Sequence, residues 1–222
     1  MGSLNTVGLI PARAGSSRIK RKNLRSINGK TLIERAVNVG QLLPLSNLLI
    51  FTDIPEHSFS NELKGLVMNR SGSNVSEEAT ADSYLHDFLG RYPGMVDRIL
   101  LLQPTSPFRN VQLLRELLLR PIKRGEVLAS GYQFREQLWI SKENSYYPAF
   151  DGEPRRQQER EVRLVEDGCF YIIDAHAFKE VGQLAKLEWS FVLNQFPYTL
   201  DINEPGDLDL ARVIEKSDFY EV

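Results

Sequence analysis

The chain of 222 residues contains one cysteine and three histidines, and these scarcities exclude several classes of protein. A single cysteine, Cys169, cannot form an internal disulfide, so a disulfide-stapled secreted fold is excluded. The histidines, at positions 57, 86 and 176, have no metal-ligand spacing among themselves or with Cys169, which argues against a structural zinc site. Neither a Gly-x-Ser-x-Gly nor a His-Glu-x-x-His motif is present, so a hydrolase is poorly supported.

Long hydrophobic runs and an excess of one charge are also missing. No apolar run approaches the roughly 18 residues that a membrane helix needs, and the first residues lack the pattern of a signal peptide. With 27 basic and 29 acidic residues, the net charge of −2 does not favour binding to nucleic acid or to an anionic membrane. We therefore expect a cytoplasmic protein without nucleic-acid or membrane partners, folded as a single domain over residues 1–222.

Apolar runs and helical periods alternate along the chain. Strands are predicted at 7–10, 47–52, 66–69, 99–102, 168–173 and 198–202, and helices at 31–40, 57–64, 79–89, 111–120 and from 205 onward. This alternation predicts an α/β fold, a Rossmann-like open and mainly parallel sheet flanked by helices on both faces. Segment 131–167 breaks the pattern with aromatic, charged and proline residues, and is interpreted as either a protruding arm or a long surface excursion.

A basic loop follows the first predicted strand. It begins with Ile10-Pro-Ala-Arg-Ala-Gly-Ser16, and the ligands predicted in and after this motif are Arg13, Gly15, Ser16, Arg18, Lys22 and Asn23. Small residues let backbone amides approach an anion, and the cationic side chains neutralise its charge. The pattern predicts a triphosphate site gripped by Arg13 and Lys22, while the alternative is a solvated basic loop.

A second loop, Gln103-Pro-Thr-Ser-Pro-Phe-Arg109, leaves the predicted central strand. Because the carboxyl ends of parallel strands meet at one edge of a sheet, we expect both loops to contribute to one site. The amide of Gln103 can both donate and accept hydrogen bonds, which suits a sugar hydroxyl or carboxylate. In the alternative, Gln103 satisfies backbone groups of its own turn.

With these two loops, the sequence resembles the acylneuraminate (nonulosonic acid) cytidylyltransferases, which carry an Ile-Pro-Ala-Arg-x-Gly-Ser loop and a Gln-Pro-Thr-Ser-Pro-x-Arg loop in this order. Three shorter segments fit the same family, namely Phe51-Thr52-Asp53, Arg155-Arg156-Gln157 and Asp201-Ile-Asn-Glu-Pro-Gly-Asp-Leu208. The resemblance implies a nucleotidyltransferase that joins CMP from CTP to a nine-carbon 2-keto-3-deoxy sugar acid and releases pyrophosphate. It also implies Mg²⁺ as cofactor and a homodimer, in which the arm 131–167 brings basic residues near the partner's sugar site.

The resemblance assigns roles to five further residues. Arg70 and Thr80 match positions that read cytosine, although the spacing around them departs from the family, and Thr80 alternatively caps a helix. Arg156 matches an element that binds the sugar carboxylate, with an exposed basic arm as the alternative. Asp201 and Asn203 match two metal-binding aspartates at alternate positions of a strand end. Asn203 supplies no charge, however, and alternatively caps the following helix.

Two other functions stay open. A Kdo-type cytidylyltransferase performs the same CTP chemistry on an eight-carbon acid, although Gln103-Pro-Thr-Ser-Pro argues against it. A non-catalytic nucleotide-binding relative would explain Asn203 and the altered loop, in which Ser17 and Arg18 replace the family's common Lys-Gly. The loop leans slightly towards the pseudaminic acid branch, but the sequence does not choose among neuraminic, legionaminic and pseudaminic acids.

Overall fold

Seven strands form the central sheet of the computed structural model, which describes residues 4–70, 79–152 and 155–217. In spatial order they are β11 (Glu188–Leu193), β7 (Glu126–Phe134), β10 (Arg163–Asp174), β6 (Arg98–Leu101), β1 (Thr6–Ala12), β4 (Asn47–Thr52) and β5 (Val67–Asn69). Only β10 runs antiparallel to its neighbours, and the other pairs in this sheet are parallel. The predicted α/β fold with a mainly parallel sheet is confirmed.

Helices cover both faces of this sheet. One face packs against α1 (Leu32–Gln41), α2 (Asn61–Lys64) and α4 (Val111–Leu119), and the other against α3 (Ala81–Arg91) and α5 (Ala175–Val181). Successive strand side chains point to opposite faces, so Leu9 and Ile10 belong to two different apolar clusters. Helix α6 (Pro205–Ile214) forms a third cluster with Phe108 and Ile202. Within the described residues, no helix combines the length and apolar character needed to cross a bilayer.

The helix starts follow from local sequence. A two-stranded ribbon, β2 (Ser26–Ile27) and β3 (Lys30–Thr31), leads into α1. The Thr31 side chain accepts a hydrogen bond from the Glu34 amide, and the Glu34 carboxylate accepts one from the Thr31 amide. Asn110 accepts a hydrogen bond from the Leu113 amide at the start of α4. The predicted capping box of α1 and the predicted cap of α4 are therefore confirmed.

The prediction of a strand at 198–202 is wrong. In this segment, the side chain of Ile202 packs against α6. The backbone amide of Ile202 donates a hydrogen bond to the Thr105 carbonyl (2.8 Å), and the segment does not join the sheet. The sheet edge next to β7 is instead formed by β11, and neither β11, β7 nor α5 was predicted from the sequence. The helix expected at 57–64 is a 3₁₀ turn, Glu56–Ser58, followed by the short α2.

Segment 131–167 contains regular structure of its own. Residues 131–134 of β7 pair with 163–166 of β10 beyond a register shift, which extends this ladder away from the central sheet. Between them, β8 (Trp139–Lys142) and β9 (Ser145–Pro148) form a hairpin whose residues are all exposed. Its turn uses positive φ angles at Glu143 and Asn144, as a two-residue hairpin turn requires. Whether this segment acts as a dimerisation arm stays a prediction.

Candidate active site

A cationic cleft lies at the carboxyl ends of the parallel strands. It has a volume of about 390 Å³, and its described lining residues are Pro11, Arg13, Gly15, Ser16, Ser17, Arg18, Lys22, Asn23, Arg70, Ala79, Ala81, Tyr84, Gln103, Pro104 and Thr105. This set contains three arginines and a lysine but no carboxylate. Such a concentration of one charge attracts an anion. Arg13 and Gln103, which come from the two sequence motifs, therefore lie in one cleft.

Lys22 is half-buried in the wall of the cleft, beside other charged groups. Burial lowers the pKa of Lys22 below its usual value of 10.5, the nearby charges of Arg18 and Arg13 lower it further, and Asp201 opposes the shift. The lysine Nζ donates a hydrogen bond to the Ile202 carbonyl (2.8 Å), which fixes it at the cleft wall. A bound polyphosphate would offset both the burial and the repulsion, so the cleft is suited to a triphosphate.

Hydrogen bonds hold the basic loop in place. The backbone amide of Ala14 donates to Asp53 Oδ1 (2.7 Å), and Asn23 Nδ2 donates to the carbonyl of Arg13 (2.9 Å). Asn23 is buried, so its amide group supports the loop from within as well as lining the cleft. Asp53 belongs to the segment Phe51-Thr52-Asp53, whose pattern alone indicates no role for this carboxylate. In the structure it anchors the loop that carries the predicted phosphate ligands.

Arg70 also lines the cleft. It is buried, and its guanidinium lies over the rings of Tyr84 (5.1 Å) and Phe51 (5.9 Å). Burial lowers the pKa of Arg70 and raises the pKa of Tyr84 to about 12, so the phenol stays neutral at physiological pH. Thr80 accepts a hydrogen bond from the Ser83 amide and caps α3, which is its alternative role. Unlike Ala79 and Ala81, Thr80 is not among the described lining residues.

A second cleft of about 500 Å³ adjoins the first at Gln103. Its described lining residues are Gln103, Tyr132, Val165, Glu166, Asp167, Gly168, Tyr171, Thr199, Leu200, Asp201 and Asn203. This set holds three carboxylates and no lysine, arginine or histidine, the reverse of the first cleft. Because Gln103 lines both clefts, its side chain lies where two ligands would meet.

The position of Gln103 is fixed from behind by a buried arginine. Arg109 is 2% exposed and donates hydrogen bonds from Nε to the Cys169 carbonyl (2.9 Å) and from Nη2 to the Gln103 carbonyl. Gly168 has a φ of +71°, and a Cβ there would lie 3.8 Å from Gln103 Oε1. The positive φ favours glycine at this position, while the space beside Gln103 would accommodate a Cβ. Arg109 is the last residue of the second sequence motif, but no local pattern indicates this role.

The three carboxylates of the second cleft differ in their surroundings. Buried Asp167 accepts hydrogen bonds from Ser130 Oγ, the Cys169 amide (2.9 Å) and Asn194 Nδ2 (2.9 Å). Asp167 therefore stabilises the register shift in β10 with bonds to both carboxylate oxygens. Exposed Glu166 instead accepts a hydrogen bond from the Tyr171 hydroxyl (2.8 Å). Sequence analysis missed both residues, since each belonged to the segment expected to be irregular.

The two predicted metal ligands contact each other. Asn203 Nδ2 donates to Asp201 Oδ2 (2.6 Å), while Asn203 Oδ1 accepts from Arg18 Nη2 (3.0 Å). Asp201 Oδ1 is buried without a hydrogen-bond partner in the described part of the chain. The alternative role of Asn203 as a helix cap is wrong, because Glu204 caps α6 in a capping box with Asp207. Across the described ranges, no three acidic, histidine or cysteine residues cluster as a metal site.

Two other residues lie outside both sets of lining residues. Arg156 is exposed on the arm and forms an ion pair with Glu159 (3.6 Å). Cys169 is buried in β10, and burial raises its pKa to about 12. A thiol in this environment stays protonated, which excludes it as a nucleophile and agrees with its interpretation as a core residue. The roles predicted for the candidate site residues themselves stay predictions.

Comparison with known proteins gives relatives that transfer cytidylyl groups. The chain is 31% identical over 97 residues to the 3-deoxy-manno-octulosonate cytidylyltransferase of Koribacter versatilis, covering 38% of this chain and 37% of the relative. It is 32% identical over 125 residues to the CMP-N,N'-diacetyllegionaminic acid synthase of Legionella pneumophila, covering 50% and 51%. It is 24% identical over 230 residues to the pseudaminic acid cytidylyltransferase of Campylobacter jejuni, covering 94% of this chain and 95% of the relative.

Solved structures share the fold at low sequence identity. A 4-diphosphocytidyl-2C-methyl-D-erythritol synthase superposes with a TM-score of 0.68 at 14% identity, covering 95% of this chain and 99% of that one. The CTP complex of CMP-2-keto-3-deoxy-manno-octonic acid synthetase gives 0.65 at 16% identity, covering 96% and 98%. A family model described as cytidylyltransferase matches residues 7–163, well over half of the chain. The chain therefore belongs to the cytidylyltransferase family.

Proposed function

We propose that this enzyme transfers CMP from CTP to a nonulosonic acid and releases pyrophosphate. The observation that carries the proposal is the meeting of a cationic cleft and a second, polar cleft at the side chain of Gln103. One cleft is suited to a triphosphate, and the other has room for an acceptor. The relatives named for legionaminic and pseudaminic acid support a nine-carbon acceptor.

In the proposed reaction, the anomeric hydroxyl of the sugar attacks the α-phosphorus of CTP. A new oxygen–phosphorus bond forms, the bond to the pyrophosphate oxygen breaks, and the hydroxyl proton passes to water. Arg13 and Lys22 hold the triphosphate and neutralise the charge on the leaving pyrophosphate, while Gln103 orients the acceptor. Such a reaction needs alignment and charge neutralisation from the protein rather than a covalent intermediate.

Arg70 is the residue that we expect to select cytosine. The guanidinium of Arg70 is held against two aromatic rings, which fixes the direction of its N–H groups. Cytosine presents carbonyl and ring-nitrogen acceptors that such donors can bind. We therefore expect CTP to be preferred over UTP and ATP.

Mg²⁺ is proposed as the cofactor, with Asp201 as its protein ligand. The buried and unpartnered Oδ1 of Asp201 is a hard anionic oxygen beside the cationic cleft, as this ion prefers. When bound, the ion would neutralise phosphate charge. Asn203 already uses its carbonyl oxygen for Arg18, so the residues present fit an ion held by one carboxylate, phosphate oxygens and water.

A homodimer is proposed because the second cleft lacks a cation for an acidic sugar. Its described lining includes three carboxylates and no basic side chain, and Arg156 of the same chain lies elsewhere. The hairpin β8–β9 exposes Trp139, Tyr146 and Tyr147, which are large apolar surfaces for a monomer to leave in water. Pairing of two arms would cover these rings and bring Arg156 of a second copy towards the acceptor.

The test is pyrophosphate release with CTP, UTP or ATP, Mg²⁺ and a panel of neuraminic, legionaminic and pseudaminic acids. We expect release with CTP and at least one of these acids, and loss of at least tenfold in kcat/KM in Arg13→Met and Gln103→Ala. The matched control is Arg115→Met, because Arg115 is exposed on α4, donates to the Leu42 carbonyl and is not among the described residues that line either cleft. Equal use of the three nucleotides, or no release with any acid, would overturn the proposal.

A second candidate is the eight-carbon acid Kdo, favoured by the relative and the solved structure named for it. Kdo is therefore included in the panel. A higher kcat/KM with Kdo than with every nine-carbon acid would assign the enzyme to that substrate instead.

A further inference from the structure

Asn203 forms a bridge between an anion and a cation. Its amide nitrogen donates to Asp201 Oδ2 (2.6 Å), and its amide oxygen accepts from Arg18 Nη2 (3.0 Å). The opposite amide orientation would place oxygen against carboxylate and nitrogen against guanidinium. The charges on either side therefore fix the orientation of Asn203, and Asn203 in turn fixes the distance between Asp201 and Arg18.

An aspartate at position 203 would not form this bridge. A carboxylate has no N–H donor, so the contact of 2.6 Å with Asp201 would become a contact between two negative charges. Such a pair needs either a cation between its members or a proton shared between them. Asparagine removes this requirement and keeps an acceptor for Arg18.

Arg18 reaches from this bridge into the cationic cleft, which it lines. Its second anchor is Glu204, whose Oε1 accepts from Nη1 at 3.1 Å. Within the described residues, these bonds occupy two of the five guanidinium N–H donors, so others are available for phosphate oxygens. The side chain is 54% exposed, and an exposed arginine without anchors would lose considerable rotamer freedom when it binds a ligand.

We propose that Asn203 is a positioning residue that fixes the guanidinium of Arg18 for binding the triphosphate, so that this cation carries phosphate charge without a metal ion. The inference rests on the proposed function, because CTP is the ligand. Two consequences follow. CTP binds to the enzyme in the absence of divalent metal, and Asn203 affects that binding only while Arg18 is present.

The test is a double-mutant cycle on the Kd of CTP, measured by isothermal titration calorimetry in EDTA. We expect Arg18→Ala to weaken binding about tenfold and Asn203→Ala about fivefold, since a charge-assisted contact is lost or loosened. In the Arg18→Ala background, Asn203→Ala should change Kd by less than about twofold. Circular dichroism and the Tm of each variant show that the fold is retained.

Lys20→Ala is the matched control for charge. Lys20 belongs to the same loop and is exposed, but it is not among the described residues that line the cleft. Its removal deletes the same charge, and its effect should be smaller than that of Arg18→Ala and additive with Asn203→Ala. Asn203→Asp provides a second readout. It should weaken CTP binding in EDTA, and Mg²⁺ should restore affinity by a larger factor in this variant than in the wild type.

The outcomes separate this inference from the proposed function. Wild-type binding of CTP only with Mg²⁺, or an Asn203→Ala effect that is equal with and without Arg18, would overturn the inference alone. An unchanged Kd in Asn203→Ala would do the same. Failure of the wild type to bind CTP under either condition would overturn the proposed function as well.

Discussion

Replacement of Arg109 is the sharpest test of how the two clefts are held together. This arginine is 2% exposed and lies behind the loop that begins at Gln103. It donates to the Cys169 carbonyl at 2.9 Å and to the Gln103 carbonyl, and so ties the loop to β10. Methionine has a similar length but no donor, so Arg109→Met removes both bonds while it retains most of the packing.

The size of the effect follows from the two carbonyls. Loss of the donor to a buried carbonyl such as that of Cys169 costs about 1–3 kcal/mol. The Gln103 carbonyl also accepts from the Ser106 amide (3.1 Å), so its loss is that of one ordinary hydrogen bond, about 0.5–1.5 kcal/mol. We expect the free energy of unfolding to fall by about 1.5–4.5 kcal/mol in total. Arg109→Lys keeps the charge but has no planar fork, and should lose about half as much.

Urea unfolding followed by circular dichroism measures this change. Arg115→Met is the control, because Arg115 also donates to a backbone carbonyl, that of Leu42 (2.7 Å), but from an exposed position. We expect the control to lie within about 0.5 kcal/mol of the wild type. A loss below about 1 kcal/mol in Arg109→Met, or equal losses in the two variants, would refute the role assigned to buried Arg109.

Three further predictions concern titration and reactivity. CTP affinity should fall at alkaline pH with a midpoint below 10.5, because burial lowers the pKa of Lys22. Lys22→Arg should move this fall to higher pH, and an unchanged pH dependence in the variant would contradict the prediction. The hydrogen bond from His176 lowers the pKa of Asp97 in the folded protein. The ionised Asp97 therefore stabilises the fold at pH values above the pKa that Asp97 has in the unfolded chain. This stabilisation is lost as the pH falls through the pKa of Asp97 in the folded protein. Between neutral and acid pH, the free energy of unfolding should therefore fall less steeply in Asp97→Asn than in the wild type. An equal slope in the two proteins would show that the Asp97–His176 pair does not contribute. Cys169 should react with Ellman's reagent only after unfolding, because burial raises its pKa to about 12; rapid labelling of the native protein would disprove this.

Local patterns with a direct physical cause could be predicted from the sequence. The Thr31–Glu34 capping box and the Asn110 cap depend on side chains within one turn, and both appear in the structure. The two motif loops follow strands of one parallel sheet, so their convergence follows from topology rather than from distant contacts. These features explain why Arg13 and Gln103 were expected together and are found lining one cleft.

Other features depend on contacts that no local pattern records. Strand β11 pairs with β7 at the sheet edge, and its half-buried side chains gave no alternation distinct from that of 198–202. The second cleft brings together Tyr132, Glu166 and Asp201, which come from three separate segments. The local pattern around Asn203 fits a ligand or a cap, but the hydrogen bond between Asn203 and Arg18 spans 185 residues of sequence. Only the folded arrangement places these groups side by side.

The opposite charges of the two clefts explain why Gln103 is the residue they share. A cation at this position would bind the triphosphate and extend the first cleft, whereas a carboxylate would repel both phosphate and an acidic acceptor. A neutral amide can donate to an oxygen on either ligand without adding charge to the reacting centre. Arg109 holds the Gln103 backbone carbonyl from behind, and Gln103 lines both clefts, so we expect its side chain to reach both ligands. Alignment of the acceptor with the α-phosphorus would therefore depend on a neutral side chain at the boundary between a cationic and an acidic cleft.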